Sequence, residues 1–251
     1  VDKALVDIMK NYMANKSFSR GIETLGAEAS MVFVGNTQHT VEHMLRHTDL
    51  FDELPDKYHD SAFLDRLHFY IPGWEVDIIR GEMFSSDFGF VVDYFAEVLR
   101  SQRDFDFSRE YAPHFSLSED ISTRDRDGIH KTFSGLMKIL YPHRKATIDE
   151  IEEILKLAIQ GRKRIKDQLM RFDSTYEDVD FSYYDNSGNK NSVVVAEELE
   201  FPKAYQGGGQ ATTDENGESV PSDEPVDDEA DGPVDVQTNV FEGFKILEQF
   251  D

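Results

Sequence analysis

Met31-Val-Phe-Val-Gly-Asn-Thr37 and Asp60-Ser-Ala-Phe-Leu-Asp-Arg-Leu-His-Phe-Tyr-Ile-Pro-Gly-Trp74 are the two stretches that decide the fold predicted for this chain. The first is an apolar run that stops at Gly35-Asn36, which is typical of a buried strand ending in a turn. The second predicts a turn or short helix over 60–65, then Arg66, then a strand over 67–71 that stops at Pro72-Gly73. Each stretch therefore presents one polar side chain, Asn36 or Arg66, beside an apolar element.

Helical spacing and turn residues predict the elements around these two stretches. The apolar residues of 1–14 recur at intervals of three and four, which predicts an amphipathic helix. Lys16 to Gly26 predicts a hairpin that turns at Arg20-Gly21, and the strand that leads to Asn36 is predicted over 27–34. Further helices are predicted over 41–47 and 88–100, whereas residues 104–118 show no regular pattern.

Capping residues mark two helix starts in the second half of the chain. Ser122 predicts a helix that runs to Leu140, because a hydroxyl there accepts a hydrogen bond from a free backbone amide and stabilises the start by about 1 kcal/mol. Thr147-Ile-Asp-Glu150 is a capping box, and the apolar stripe after it predicts one long helix to about Arg171. A small hairpin is predicted over 181–195 with its turn at 186–189.

The acidity of the chain is concentrated near its C-terminus. The formal net charge is −24, and residues 173–240 hold 18 Asp or Glu against Lys190 and Lys203. Residues 206–240 are poor in aliphatic side chains and are predicted to be disordered, because they cannot bury enough apolar surface to offset the entropy of ordering. Residues 241–251 are apolar again and are interpreted as a docking segment or the start of a lost domain.

Composition excludes several classes of protein. The negative charge argues against broad non-specific nucleic-acid binding, although it is compatible with a local basic site inside a pore. The chain has no cysteine, which excludes disulfides and thiolate metal sites. No signal peptide and no apolar run of about 18 residues is present, so we expect a cytoplasmic protein with no membrane partner.

Asn36 and Arg66 each have an ordinary and a chemical interpretation. An Asn after a strand is usually a turn residue, and an Arg in a turn is usually a surface or ion-paired residue. Their order along the chain nevertheless suits phosphoryl transfer, which needs a water held in line and positive charge at the γ-phosphate. An amide can orient that water, and a guanidinium can bind phosphate through two hydrogen bonds.

Five motifs carry a resemblance to a known family. From about Asp2 to Thr175 the chain resembles the second half of the AAA+ ATPase module of the Lon-related BrxL family of BREX phage-defence systems. The motifs are Ile8-Met-Lys-Asn-Tyr-Met13, Phe18-Ser-Arg-Gly21, Met31-Val-Phe-Val-Gly-Asn36, Ser61-Ala-Phe-Leu-Asp-Arg-Leu-His-Phe-Tyr-Ile-Pro-Gly-Trp-Glu75 and Asp120-Ile-Ser-Thr-Arg-Asp-Arg-Asp-Gly-Ile-His-Lys-Thr-Phe-Ser-Gly-Leu-Met137. The resemblance implies an ATPase similar to MCM helicases, which forms DNA-binding rings and is followed by a Lon-like protease domain.

The same resemblance implies roles for individual residues. Asn36 resembles the sensor-1 amide. Arg66 resembles an arginine finger that reaches a neighbouring subunit, a device that can contribute roughly 10³–10⁵ in rate. Arg124 resembles the sensor-2 arginine at the start of a lid helix, with Arg126 as the alternative. These four side chains are the predicted contacts to ATP.

The predicted hairpin resembles the pre-sensor hairpin that points into the pore of such rings. It carries Lys16 and Arg20, which the resemblance assigns to DNA phosphates. The competing interpretation is that both are solvated charges near a turn.

The chain departs from the family in two ways. No Gly-x-x-x-x-Gly-Lys-Ser/Thr loop occurs in it, and no apolar strand ending in Asp-Glu precedes the first helix. We therefore expect a fragment or split subunit whose Mg²⁺ ligands lie outside this chain. It should hydrolyse ATP only within a complete ring, formed with copies of itself or with a complementary P-loop polypeptide. No Ser–Lys protease dyad is recognised, since Ser134 and Lys138 are spaced like packing and surface residues of one helix.

Two further patterns suggest other chemistry. His39-Thr-Val-Glu-His43 fits the His-x-x-Glu-His pattern of inverted zinc peptidases, and His47 continues its face, but the short pattern has an alternative interpretation as a surface helix. Arg162, Lys163, Arg164 and Lys166 form a basic run, which is interpreted as a solvated or acid-paired helix face in preference to a DNA contact.

The resulting prediction is an α/β fold that contains the C-terminal part of an AAA+ core sheet. The predicted parts are the core over 1–85, a helical lid over 86–172, a short β segment over 173–205, the acidic linker over 206–240 and the apolar segment 241–251. The predicted function is that of an antiviral, DNA-associated ATPase subunit. The alternatives are a non-catalytic remnant or protein-interaction subunit and, third, a zinc peptidase.

Overall fold

The computed structural model describes residues 3–20, 22–89 and 91–207, and it has the mixed α/β architecture that the sequence predicts. These residues belong to two units, one within 1–70 and 92–210 and a smaller one that includes 71–91. The larger unit contains the helices α1 (Lys3–Asn15), α2 (Val41–His47), α3 (Ser61–Leu64), α4 (Val92–Ser101), α5 (Thr123–Leu140), α6 (Ile148–Phe172), α7 (Ala196–Glu200) and α8 (Pro202–Gly207). Its strands are β1 (Ser17–Arg20), β2 (Glu23–Gly26), β3 (Phe115–Leu117), β4 (Ser182–Asp185) and β5 (Lys190–Ser192).

The described residues form two small antiparallel sheets, and each contains a hairpin that the sequence predicts. β1 pairs with β2, with Phe18 opposite Leu25. β4 pairs with β5 across a turn in which Gly188 has a φ of +81°, a conformation that glycine adopts without strain. β3 adds to the free side of β4, with Phe115 opposite Asp185. This third strand lies in the stretch that was expected to be irregular.

Side-chain caps start the two long helices where the sequence places them. Ser122 Oγ accepts a hydrogen bond from the Asp125 amide at 3.2 Å at the start of α5. At the start of α6, the Thr147 amide donates to Glu150 Oε2 at 2.6 Å, and the Glu150 amide donates to Thr147 Oγ1 at 3.3 Å. The capping box is therefore confirmed, and α6 runs for 25 residues.

Two buried apolar clusters form the core of the larger unit. One packs the first half of α6 against α5, the 107–121 segment and the β4–β5 sheet, and includes Phe107, Ile121, Phe133, Leu155 and Tyr183. The other packs the second half of α6 against α1 and the 51–64 segment, and includes Val6, Phe51, Phe63, Ile165 and Leu169. Because α6 contributes to both clusters, residues 160–164 lie between them.

The two predicted strands at 27–34 and 67–71 are not confirmed, because neither forms a ladder in the described part of the chain. Residues 31–34 keep the alternation of a strand. Phe33 packs against Phe63 with ring centroids 5.7 Å apart, whereas Val32 and Val34 are 77% and 92% exposed. Residues 67–70 lie instead against α6, where the Tyr70 amide donates to the Gly161 carbonyl at 3.1 Å.

The helix predicted over 88–100 begins later, since α4 starts at Val92. Gly89 falls in the predicted first turn, where glycine costs about 1 kcal/mol relative to alanine. Within 71–91, the smaller unit contains short 3-10 helices at Gly73–Glu75 and Gly81–Met83. The predicted disordered linker and apolar C-terminal segment lie outside the described residues from residue 208 onward, and the predicted domain boundaries stay predictions.

Candidate functional site

A buried charge cluster joins α6, the start of α5 and the turn after α3. Arg162, in the middle of α6, is 1% exposed. Its Nε donates to Asp125 Oδ1 at 2.7 Å, and its Nη2 donates to Asp65 Oδ1 at 2.6 Å. Both carboxylates are buried as well, so each has its charge balanced inside the protein.

The same guanidinium also holds the backbone around Arg66. Arg162 Nη1 donates to the Asp65 carbonyl at 3.0 Å and to the Leu67 carbonyl at 2.6 Å. These two carbonyls lie immediately before and after Arg66 in sequence. The position of Arg66 is therefore set by a buried residue nearly one hundred positions away.

Asp65 also places Arg124 near Arg66. Its second carboxylate oxygen, Oδ2, accepts a hydrogen bond from Arg124 Nη1, while the side chain of Arg124 stays about half exposed. This hydrogen bond to Asp65 is the main cause that raises the pKa of Arg124. Arg66 itself is partly exposed, and its Nη1 donates back to the Ala62 carbonyl. The Asp65 carboxylate thus ties Arg124 to the turn that carries Arg66.

Asn36 is exposed and lies outside this cluster. In the described residues, no hydrogen bond joins it to Arg66 or Arg124. The segment around it is held instead by Gln38, whose amide donates to Glu53 Oε1 at 2.8 Å, and by the Phe33–Phe63 contact. Its sensor role stays a prediction.

Arg126, the alternative to Arg124, serves a different contact. Its Nη2 donates to the Ser118 carbonyl at 3.0 Å, beside the end of β3. It therefore anchors the 118–126 loop within the chain, whereas Arg124 points to the turn that carries Arg66.

Lys16, one of the two basic residues of the predicted hairpin, lies at the junction with α1. Lys16 is exposed and has a φ of +54°, and its amide donates to the Tyr12 carbonyl at 2.8 Å. The backbone of Arg20 pairs with Glu23 at the far end of the hairpin. These contacts describe the hairpin and leave its role in DNA binding a prediction.

In the basic run on α6, Arg162, Lys163 and Arg164 pair with acids, and Lys166 lies over the Tyr176 ring. Arg164 is 2% exposed and its Nε donates to Glu197 Oε1 at 2.8 Å. Lys163 Nζ lies 2.7 Å from Asp167 Oδ2 and 3.2 Å from Glu198 Oε2. Because these side chains are buried against acids, they present no surface to DNA.

The His-x-x-Glu-His pattern begins at His39, just before the N-cap Thr40 of α2, and its two histidine rings stack. The ring centroids of His39 and His43 are 4.3 Å apart with an interplanar angle of 24°, and His47 follows at 4.7 Å from His43. The metal-binding nitrogens of an imidazole lie in the plane of the ring. In stacked rings they therefore do not converge on one metal ion. Among the described residues no group of three His, Asp or Glu side chains could hold a metal ion, which argues against the zinc alternative.

His68 lies next to the cluster and is held uncharged at neutral pH. Burial, and then the nearby charge of Lys131, lower its pKa to about 4. Lys131 Nζ lies 3.4 Å from His68 Nε2 and also pairs with Asp127 on α5. The segment after Arg66 is thus attached to α5 as well as to α6.

The sequence interpretation missed Asp65, Asp125 and the role of Arg162. One signal was available in the sequence. The apolar stripe of α6 passes through Ala158 and Ile165, and Arg162 occupies the stripe position between them. A charge on an apolar stripe predicts a buried ion pair, although its partners cannot be identified from spacing alone.

The residues described here fit one part of a nucleotide site. The guanidiniums of Arg66 and Arg124 are suited to bind phosphate oxygens, because a planar guanidinium can donate two parallel hydrogen bonds to them. The chain has no P-loop motif that would cradle the β- and γ-phosphates. No helix in the described ranges is long and apolar enough to cross a membrane.

Comparison with known proteins identifies the family to which this chain belongs. The family described as "Lon-like protease BrxL-like, ATPase domain" matches residues 1–182. The chain is 44% identical over 211 residues to the Lon-like protease BrxL of Bacillus cereus (strain H3081.97), which covers 83% of this chain and 30% of that protein. It is 40% identical over 186 residues to the Lon-like protease BrxL of Escherichia coli O9:H4 (strain HS), covering 74% of this chain and 27% of that protein. The chain therefore spans about three tenths of the length of these curated relatives, and it belongs to the ATPase-domain family of BrxL-like Lon-like proteases.

Proposed function

We propose that this chain contributes sensor and arginine-finger residues to ATP hydrolysis in a ring-forming AAA+ assembly of BREX-type antiviral defence. The P-loop and the Mg²⁺ ligands of each site come from sequence outside the 251 residues, either upstream in the same protein or in a partner polypeptide. Membership of the ATPase family supports the nucleotide chemistry.

The observation that carries the proposal is the pairing of Arg124 with Asp65, the residue before Arg66. It brings the Arg124 guanidinium, from α5, to the carboxylate of Asp65, in the turn after α3 that also carries Arg66. Two such cations near a γ-phosphate would balance the charge that spreads over its oxygens during transfer. In this arrangement Arg66 reaches the nucleotide of a neighbouring subunit.

Each predicted side chain has a separate task. When bound, ATP with Mg²⁺ would supply the γ-phosphoryl group, and ADP would be the leaving group. Arg66 and Arg124 hold phosphate oxygens, and the amide of Asn36 orients the attacking water. Neither arginine needs to move a proton, because a guanidinium stays charged throughout the pH range of proteins.

The β1–β2 hairpin is assigned to DNA on the strength of Lys16, which is exposed where α1 meets β1. A few lysines and arginines in a pore can bind phosphates even in a strongly acidic chain, because screening confines the repulsion of distant acids to about 10 Å at 0.1 M salt.

ATP turnover tests the proposal. The chain is assayed alone and mixed with the polypeptide encoded immediately upstream, with and without duplex DNA. We expect turnover only in the mixture. In that mixture Arg66→Ala should lower kcat by roughly 10³-fold or more, with nucleotide binding retained.

Arg46→Ala is the matched control. Arg46 is an exposed arginine of α2 that pairs with Glu42, so its loss should leave turnover unchanged. Unaltered turnover in Arg66→Ala would overturn the arginine-finger assignment. No complex and no turnover in the mixture would favour the non-catalytic interaction subunit instead.

A further inference from the structure

We infer that Arg162 is a positioning residue that sets Arg66 and Arg124 at a fixed distance from each other. The inference rests on the proposed function of those two arginines and adds a buried residue that touches neither nucleotide nor DNA. Arg162 contacts a residue next to each of them, Asp65 before Arg66 and Asp125 after Arg124.

The contact with the Arg66 turn is made to the backbone as well as to a side chain. Arg162 Nη1 bridges the carbonyls of Asp65 and Leu67, and so it holds the backbone of the residues before and after Arg66. A carboxylate could rotate away from a guanidinium, but two backbone acceptors held at once fix the turn itself. The position of the Arg66 Cα is therefore tied to the axis of α6.

The contact with α5 is made through Asp125, which is shared with the helix cap. Asp125 Oδ1 accepts from Arg162 Nε at 2.7 Å, and Oδ2 accepts from Ser122 Oγ at 2.5 Å. Gly128, one turn later, lets α5 approach closely, because a Cβ there would stand 3.3 Å from Arg162 Cδ. The first turn of α5, which carries Arg124, is thereby fixed to the same guanidinium.

Only arginine can make this set of contacts. The planar guanidinium donates in several fixed directions, whereas a lysine ammonium is one point donor on a flexible stem. Arg162→Lys keeps the buried positive charge but cannot reach Asp125, Asp65 and two carbonyls together. The substitution should therefore loosen the placement of Arg66 and Arg124 more than it weakens the fold.

Hydrogen exchange followed by mass spectrometry on the whole chain tests this without ATP. In Arg162→Lys we expect amides in 61–70 and 122–128 to exchange at least about tenfold faster than in the unchanged chain, with α1 and the first half of α6 unaffected. Arg164→Lys is the matched control. It lies two residues away, is equally buried and forms a bidentate pair with Glu197 of α7, whereas the pairs of Arg162 are with Asp65 and Asp125.

The same pair of variants is then assayed in the reconstituted mixture. Arg162→Lys should lower kcat at least about tenfold with little change in KM, because the loss falls on transition-state contacts. Arg164→Lys should leave kcat unchanged. A mixture without turnover would sink the proposed function, yet the exchange data would still decide whether Arg162 positions the two segments.

If Arg162→Lys fails to fold, Asp125→Asn tests the α5 contact with an isosteric side chain. It should speed exchange in 122–128 and leave 61–70 protected by the contacts of Arg162 with Asp65 and Leu67. Equal exchange of both segments in the variant and the unchanged chain would overturn the positioning role. So would equal effects of the substitutions at 162 and 164.

Discussion

Gly161 lies so close to Phe69 that a Cβ atom on residue 161 would stand 2.0 Å from Cδ2 of the phenylalanine ring. The Gly161 carbonyl also accepts the amide of Tyr70, so this turn of α6 receives both the ring and the backbone of the segment after Arg66. The absence of a side chain at 161 is what allows that segment to reach Arg162.

Gly161→Ala should therefore destabilise the protein even though alanine favours helix. The clash involves Cγ as well as two further ring atoms of Phe69, so the ring must leave its rotamer or the backbone must shift, and overpacking of this kind costs about 1–3 kcal/mol. Urea unfolding measures the effect. Gly135→Ala is the control, because Gly135 on α5 has open space around it and alanine there should stabilise by up to about 1 kcal/mol. Equal stabilisation by both substitutions would contradict the packing described.

Arg124→Ala and Arg126→Ala should separate the two sensor-2 candidates. In the reconstituted mixture we expect Arg124→Ala to lower turnover by roughly 10²-fold, the scale of one lost transition-state donor. Arg126→Ala removes a hydrogen bond to the Ser118 carbonyl and should lower the free energy of unfolding by about 1 kcal/mol, with turnover retained. The reverse pattern of turnover losses would assign the sensor role to Arg126.

Lys16→Gly should weaken DNA binding while stabilising the chain. Lys16 has a positive φ, which costs a lysine roughly 1–2 kcal/mol and a glycine nothing sterically, so after the larger entropy loss of glycine the free energy of unfolding should rise by roughly 0.5–1 kcal/mol. If Lys16 binds a DNA phosphate in the assembled ring, its loss should reduce the salt slope of log affinity by about 1. Fluorescence anisotropy across a salt series measures that slope. Lys57→Ala, at an exposed lysine of a 3-10 helix, should leave it unchanged.

His68 should make the protein less stable as the pH falls. Its pKa in the folded chain is about 4, below the ordinary 6.5, mainly because of burial and then because of Lys131. The unfolded chain therefore takes up the proton first, and stability is lost as the pH falls from about 6.5 to 4, by up to roughly 3 kcal/mol. Arg162 and Asp127 face the same ring with opposite effects on its charge.

Urea unfolding of the unchanged chain and of His68→Gln at pH 7 and pH 5 measures how much His68 contributes to the pH dependence of stability. The loss between the two pH values should be smaller in His68→Gln, because glutamine does not titrate. An identical loss in both proteins would show that His68 is not the group responsible.

The elements that could be predicted from the sequence are those whose cause is local. Ser122 and Thr147 cap their helices with residues three positions away, so a short window of sequence contains the whole interaction. The hairpin turn at Gly188 is local in the same sense. Strands 27–34 and 67–71 were predicted from apolar runs, but a strand also needs a partner, and spacing does not supply one.

The candidate site could be predicted only in part for the same reason. The resemblance to a family pointed to Arg66 and Arg124, but the contacts that join them span 59 residues from Asp65 to Arg124 and 97 from Asp65 to Arg162. The acids that pair with the basic run on α6, such as Glu197, are distant in sequence, so the sequence left a solvated face and an acid-paired face as alternatives. Whether a charged side chain is buried depends on the tertiary structure. In the sequence, the burial of Arg162 was indicated only by its position within an apolar stripe.

The sharing of α6 between the two apolar clusters has a consequence for how the chain denatures. If α6 separates from one cluster, the other cluster loses part of its packing as well. The ion pairs of α6 that lie between the two clusters would become exposed to solvent at the same time. Both halves of the larger unit should therefore unfold together in one cooperative transition. A state in which one cluster is unfolded and the other is intact should not be populated.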